Sequence, residues 1–348
     1  MSAADAAGPG TVSRPGRVPQ SSRREPLWDR IDRNRLKTAA FIVVFASGLA
    51  LSAAIFVAVI GTFLGFVLVP QNETVTFFGA LPWIVLAALV AGAAGAGAHV
   101  VRSLNDPHRR LPRLFGATRS EVGTLLPTKS ALHDIAIASG LEHSPPLWMI
   151  DDERVNAFVV GMNQRDAVVG VTRGLTERIG ADEQRAVFAN LMARLRSGDV
   201  IWSTAVSAVM GPIWHARSAQ MRRQDDEDSQ DGAIAAGERA TFTVWEGPLF
   251  LAGTLAVVFT EALMAGHERA ALLAAEKADA EGMLLLKDPR AMLDALTHVL
   301  EADNTVSDAG EEYSMLFYCW AGFGYAPEDD PEMARVERLR QTLGAQGA

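Results

Sequence analysis

Two kinds of hydrophobic pattern run along this chain. The first is continuous. Residues 38–70 ("TAAFIVVFASGLALSAAIFVAVIGTFLGFVLVP") are almost wholly apolar, and residues 79–101 form a second such run. An α-helix needs roughly 20 apolar residues to cross a bilayer, so both runs predict spanning helices, the first long enough to tilt or protrude. Pro82 stands near the start of the second, where a missing N–H is tolerated. The second kind is periodic. In "VFANLMARLRSGD" (187–199), Val187, Leu191 and Leu195 recur every four residues, which predicts a helix with these side chains inward. Asn190 and Arg194 also stand four apart and share a face one turn from each other.

Shorter patterns fill the stretch between. "TKSALHDIAIASG" (128–140) predicts a helix with Thr128 as N-cap and Gly140 as its stop. "LWMID" (147–151), "AFVVG" (157–161) and "AVVGVT" (167–172) are β-rich runs split by turn residues such as Asn163 and Asp166, and predict a small sheet. Asp182 is placed to cap the 187–199 helix. Two further apolar stretches follow at 200–216, short for a span, and at 245–265. They fit either a spanning hairpin or a pair lying partly against the soluble body. Helical patterns at 267–286 and 289–302 precede a polar tail.

Charge and composition add orientation. Arg23, Arg24, Arg30, Arg33, Arg35 and Lys37 precede the first span, and Arg102, Arg109, Arg110 and Arg113 follow the second; the connection between them carries no Lys or Arg. The positive-inside rule therefore puts the N-terminus and everything after the second span in the cytoplasm. The expected organisation is a disordered basic tail (1–37), two spans (38–102), a cytoplasmic domain in two parts (114–199 and 266–348), and an apolar helix pair between those parts (200–265). The chain is 49% hydrophobic with a net charge of −9, which fits a membrane protein with a folded soluble part and excludes a nucleic-acid binder. The Ala/Gly/Arg-rich composition suggests a bacterial source and hence the cytoplasmic membrane. The single cysteine, Cys319, excludes an internal disulfide or a Cys-rich metal site and reads as a small buried hydrophobe.

Candidate chemistry is sparse. No two of the seven histidines stand four apart on one helix. "HERAA" (267–271) starts like a zinc helix, but Ala271 holds the second histidine position. "EDSQDGAIAAGE" (227–238) places Gly232, Ile234 and Glu238 at three positions of a calcium loop, but Glu227 stands at the first and no EF-hand helix pair flanks it. It reads as an acidic loop. No GxSxG motif is present.

The order of features nevertheless resembles a known family. Two N-terminal spans, a helix and small sheet, "NAF" at 156–158, "VTRGLTERIGADEQRAVFANLMARLRSGD" at 171–199, an apolar pair, "AAEKADAEG" at 274–282 and "DPEMARVERLR" at 330–340 come in sequence. This chain resembles the HtpX-like membrane zinc endopeptidases, relatives of the CAAX prenyl endopeptidases. Asn156–Ala157–Phe158 with Gly161, Gly174–Leu175, Asp182–Glu183, Gly198–Asp199 and Ala278–Asp279 all fall in register with that family's pattern. The resemblance implies a mainly α membrane protein with an α+β zincin-like (gluzincin) domain.

It also implies where the chemistry should be. The family's first zinc histidine falls on Asn190, its general-base glutamate on Leu191, its second histidine on Arg194, and its third ligand on Ala275. A catalytic zinc needs three donors and an open position for water. Asparagine is a poor ligand, arginine offers only donors, alanine has no donor atom, and leucine takes no proton. The expectation is a pseudopeptidase with no metal or other cofactor, zinc being the cofactor of active members only. Arg194 is expected to pair with Asp279 or Glu276 in place of the metal tie. In the family the NAF strand borders the peptide cleft, so Asn156, Ala157, Phe158 and Gly161 are expected to offer an edge to a polypeptide partner by β-augmentation. The expected partners are the lipid bilayer and a membrane protein. The competing expectations are an active metalloendopeptidase with unusual ligands and a structural subunit of a membrane complex.

Overall fold

A computed structural model describes residues 27–120, 125–214, 246–306, 309, 311–319 and 331–346. His215 and the 227–238 loop lie outside the described residues, as does the side chain of His267.

Helix α1 (Leu27–Val67) and helix α2 (Thr74–Leu104) pack as an antiparallel hairpin. Small residues set their approach: a Cβ added at Gly92 would stand 3.0 Å from the Ala50 Cα. Both helices are long and apolar enough to cross a membrane. The expected tail 1–37 is corrected in part, because residues 27–37 are the first three turns of α1. They are helical because they dock. Asn34 Nδ2 donates to Asp199 Oδ1 at 2.8 Å and to the Ser197 carbonyl at 3.1 Å, and Arg30 pairs with Glu281.

Beyond α2, a short helix α3 (Pro107–Leu114) leads to β1 (Thr118–Arg119), α4 (Leu126–Ala138), β2 (Leu147–Ile150), β3 (Ala157–Val160) and β4 (Val168–Thr172). The sheet order is β1-β2-β4-β3, with β2 and β4 parallel and the other pairs antiparallel. The three predicted strands are present; β1 is too short to leave a pattern. The β3–β4 turn is held as predicted by its polar residues. Asp166 Oδ1 accepts from the Met162 and Asn163 amides, and Asn163 Oδ1 accepts from Arg165 and Asp166.

The chain continues through α5 (Arg173–Arg178), α6 (Ala181–Ser197), α7 (residues 199–214), α8 (Glu246–Leu286), α9 (Pro289–Glu301), a 3₁₀ turn (Glu311–Leu316) and α10 (Pro331–Gln346). Two capping expectations are corrected. Thr128 lies within α4, where its hydroxyl donates to Gln184 Oε1 at 2.9 Å, and the N-cap of α6 is Gly180, whose amide donates to Glu183. Gly140 ends α4 as predicted, with φ +75°. Residues 200–214 spend their apolar side chains on protein contacts. Val206, Val209 and Met210 are buried with Phe41, Phe45 and Val100 of the hairpin and Ala271 of α8. The described part of the 245–265 run, from Glu246, and the 267–286 run, separate in pattern, lie on one continuous helix, α8.

Candidate functional site

The site is built on α6. Its sequence predicts one apolar stripe, but the helix is central: Ala186 to Leu195 are all buried, between α4, α8, α9 and the sheet. Val187, Leu191 and Leu195 join the main core, and burying each stabilises the fold by about 1.5–3 kcal/mol. Two polar side chains are carried inward with them. Asn190 is fully buried and Arg194 is 4% exposed. Buried polar groups need partners, so the question becomes where their hydrogen bonds go.

Asn190 Nδ2 donates to Asp279 Oδ1 of α8 at 2.7 Å and reaches the Ala275 carbonyl at 3.5 Å. Asp279 also accepts a fork from Arg335 of α10, Nε to Oδ2 at 2.9 Å and Nη2 to Oδ1 at 3.0 Å. Arg335 is itself fully enclosed. Its Nη1 donates to Glu332 Oε1 at 2.9 Å and to the Tyr318 carbonyl at 3.0 Å. Burial alone would lower the Arg335 pKa, but the charges of Asp279 and Glu332 outweigh it and raise it. An Asn190–Asp279–Arg335–Glu332 chain thus joins α6, α8 and α10.

The expected pairing of Arg194 with Asp279 or Glu276 is corrected. The Arg194 guanidinium donates to two carbonyls instead, Phe317 at 2.9 Å and Met315 at 2.6 Å. Asp279 has both oxygens occupied by Asn190 and Arg335, and Glu276 pairs with Arg338 at the surface. Burial, and then the like charge of Arg335, push the Arg194 pKa down to about 10, still charged at neutral pH. Two carbonyl dipoles and the nearby carboxylates of Asp199, Glu332 and Asp279 compensate that charge.

Zinc does not fit these residues. Asn190 spends its amide nitrogen on Asp279 and keeps only Oδ1, one neutral amide oxygen that is buried without a partner among the described residues and is a poor zinc ligand, while the Arg194 guanidinium has donors alone and its charge repels a cation. Leu191 is fully buried in the core, and Ala275 is a buried methyl on the facing helix. No group of three or more His, Cys, Asp or Glu placed to hold a metal occurs among the described residues.

The β3 edge is also corrected. Asn156, Ala157 and Phe158 do not face a free edge, because the chain's own residues 317–319 lie along it. Phe158 bridges Phe317 in antiparallel register, and the Tyr318 amide donates to the Ala157 carbonyl at 2.7 Å. Asn156 closes the end. Its Nδ2 donates to the Asn304 and Cys319 carbonyls, both at 2.9 Å, and its Oδ1 accepts from the Cys319 amide. Phe158 packs in an aromatic group with Phe115 and Phe317. The Gly161 amide donates to Thr204 of α7 at 3.0 Å. Arg194 clamps the same inserted segment from the α6 side. Cys319 is buried as expected, and its thiol pKa is raised, first by burial and then by Glu332.

The sequence reading missed Arg335 and Glu332. A signal existed: Glu332, Arg335, Val336 and Leu339 recur at i, i+3, i+4 and i+7, the inward face of a helix. Two of the four being charged hid the pattern.

Residues 128–342 match peptidase family M48. That is more than half of the chain and contains the whole α6–α8–α10 junction. The chain belongs to peptidase family M48. Among the similar proteins, a protease HtpX homologue of Leuconostoc citreum is 23% identical over 333 residues, 90% of this chain and 100% of that protein. One from Thermoanaerobacter pseudethanolicus is 23% identical over 177 residues, 48% of this chain and 54% of that protein. One from Syntrophobacter fumaroxidans is 31% identical over 98 residues, 26% of this chain and 35% of that protein. This chain therefore spans about half the length of the Thermoanaerobacter relative and a third of the Syntrophobacter one. No solved structure matches it.

Proposed function

We propose that this M48 chain is a membrane-embedded pseudopeptidase. It holds the peptidase scaffold without hydrolysing peptides, and binds or regulates a membrane-protein partner from the cytoplasmic side. The single observation that carries the reading is the fate of the four chemistry-bearing positions. The Asn190 amide nitrogen is committed to Asp279 and leaves one neutral oxygen, Arg194 donates to the Met315 and Phe317 carbonyls, and Leu191 and Ala275 are apolar, so the three ligands of a catalytic zinc are not present among the four. No imidazole, carboxylate or thiolate ligand and no base that could activate water remains among them. Supporting the membrane part are the two long apolar helices and the arginines beside them. Because residues 317–319 fill the β3 edge, the partner surface lies elsewhere, and the exposed apolar side chains of α1 and α2, such as Val43, Trp83 and Val90, are suited to a partner's spans.

Metal analysis of the full chain purified in detergent tests this reading. We expect well under one zinc per chain and no chelator-sensitive cleavage of casein. One zinc per chain together with chelator-sensitive cleavage would establish an active metalloendopeptidase instead.

A further inference from the structure

A cationic corner lies at the C-terminal end of α2, where the chain turns into α3. Asp106 is the one acidic residue between positions 74 and 120, whereas Arg102, Arg109, Arg110 and Arg113 all fall between 102 and 113. Helix α3 is held by one side. Pro107, Leu111 and Pro112 are buried, and Phe115 just beyond the helix packs on Phe158 and Phe317. At 3.6 residues per turn the opposite side carries Arg109 and Arg113, both exposed, with Arg110 beside them. Arg110 is fixed against the end of α2. Its Nη1 donates to the Arg102 carbonyl at 3.0 Å and its Nη2 to the Ser103 carbonyl at 2.7 Å, two of the carbonyls that a helix end leaves open. The arginine face of α3 therefore adjoins the last turn of α2.

We propose that α3 is an interfacial helix whose arginines, with Arg102, bind the anionic phospholipid surface of the cytoplasmic leaflet. The inference rests on the reading that α1 and α2 cross a bilayer with α3 on the cytoplasmic side. Three observations carry it. The first is depth. Gly92 packs on Ala50 and the His99 ring faces Phe45, which fixes the antiparallel register of α1 and α2. Continued along both helices, that register sets Pro107, the first residue of α3, level with residues 35–37, just short of Thr38 where the apolar run of α1 begins. Helix α3 thus starts in the headgroup layer, which is roughly 5–7 Å deep on each side of the hydrocarbon. The second is charge. None of the four arginines has a carboxylate partner among the described residues, and Arg110 meets carbonyls alone. Anionic headgroups supply the missing counter-charge to basic groups at a membrane surface. The third is the apolar flank. Val101, 73% exposed, ends the apolar run beside Arg102, and Leu114, 50% exposed, follows Arg113. Cations beside exposed aliphatic side chains are the composition of a helix that lies in the membrane interface.

The test is hydrogen exchange of the full chain in nanodiscs of phosphatidylcholine, alone or mixed with phosphatidylglycerol. We expect the 108–116 amides to exchange several-fold more slowly with phosphatidylglycerol present, while α4 is unchanged. Raising the salt concentration should shrink the difference, because exposed charges are screened. Arg109→Gln combined with Arg113→Gln, both exposed positions, should abolish it. Arg109→Lys combined with Arg113→Lys should keep it, because a lipid surface reads charge. Gel filtration and a thermal midpoint confirm that both double variants fold. Inorganic phosphate added to the phosphatidylcholine discs should not reproduce the slowing. Equal exchange in the two kinds of disc would overturn the proposal. So would a difference that survives the glutamine pair, or one that inorganic phosphate reproduces. Carbonate extraction of membranes checks the spanning reading separately. A chain released by carbonate fails that reading, whereas a retained chain whose α3 exchange ignores lipid charge fails only the α3 proposal.

Discussion

Arg335 and Asp279 form a two-pronged ion pair in the protein interior, Nε to Oδ2 at 2.9 Å and Nη2 to Oδ1 at 3.0 Å, with both side chains almost fully enclosed. Asn190 completes the coordination of the carboxylate from α6 at 2.7 Å. Three helices distant in sequence therefore converge on one carboxylate. Such a buried cluster need not add net stability over an apolar one, but it fails badly when one member is removed.

Asp279→Ala leaves the Arg335 charge buried with only Glu332 to meet it. We expect a loss of about 3–5 kcal/mol, the usual effect of breaking a buried pair. Chemical denaturation in detergent measures it. A loss under about 1 kcal/mol would mean that the cluster is solvated.

Arg194→Ala removes two charged hydrogen bonds, each contributing about 1.5–3 kcal/mol, and strands the Met315 and Phe317 carbonyls. Hydrogen exchange at the Tyr318 and Cys319 amides should accelerate markedly, because the inserted segment loses its α6 clamp. Unchanged exchange there would show that the β3 pairing suffices without Arg194.

Asn156 separates two kinds of substitution. Its amide donates to two carbonyls, so Asn156→Asp sets an acceptor against the Asn304 and Cys319 oxygens, while Asn156→Ala merely loses the bonds. The aspartate variant should therefore be the less stable at pH 7, and the gap should narrow as acid protonates its carboxyl. Thermal melts at pH 7 and pH 4 read the order; the reverse order at pH 7 would contradict the assigned hydrogen bonds.

His298 of α9 pairs with Glu183 of α6 at 2.9 Å, and the hydrogen bond to that carboxylate raises the imidazole pKa. A raised folded-state pKa stabilises the protein fully below the unfolded value of about 6.5, and the contribution fades as pH rises through the folded value. The histidine side chain is 55% exposed, so solvent screening keeps the effect below about 1 kcal/mol. Comparing His298→Gln with wild type across pH 5–9 should show a difference that shrinks with rising pH.

Chelator should leave the thermal midpoint where it is. A resident structural metal would contribute its binding energy to folding, and removing it would lower the midpoint. A drop with EDTA that zinc restores would contradict the reading that Asn190, Leu191, Arg194 and Ala275 cannot hold zinc.

What was legible in the sequence was local. The apolar runs gave α1 and α2, alternation gave β2, β3 and β4, and the four-residue recurrence of Val187, Leu191 and Leu195 gave α6. The order of short motifs placed the chain beside the HtpX-like peptidases, as the M48 match over residues 128–342 bears out. Less visible was how much of α6 is covered. A stripe reads as one-sided, yet helices on several sides bury the polar face too. The apolar segment after α6 had the composition of a short span, but composition does not distinguish lipid from protein as its neighbour.

The partners of the buried polar groups were not legible at all. Periodicity reports which residues share a face, a property of one element. It does not report which residue from another element arrives opposite. Arg194 and Asp279 stood on facing helices with opposite charge, and pairing them followed from charge alone. The tertiary structure brought Arg335 to Asp279 from 56 residues further along and brought the Met315 and Phe317 carbonyls to Arg194. The β3 edge followed the same logic. The sequence determined a strand with Asn156 at its start, because the local alternation suffices for that. Only the fold decided that residues 317–319 occupy the edge, because backbone pairing between distant segments leaves no periodic trace in either one.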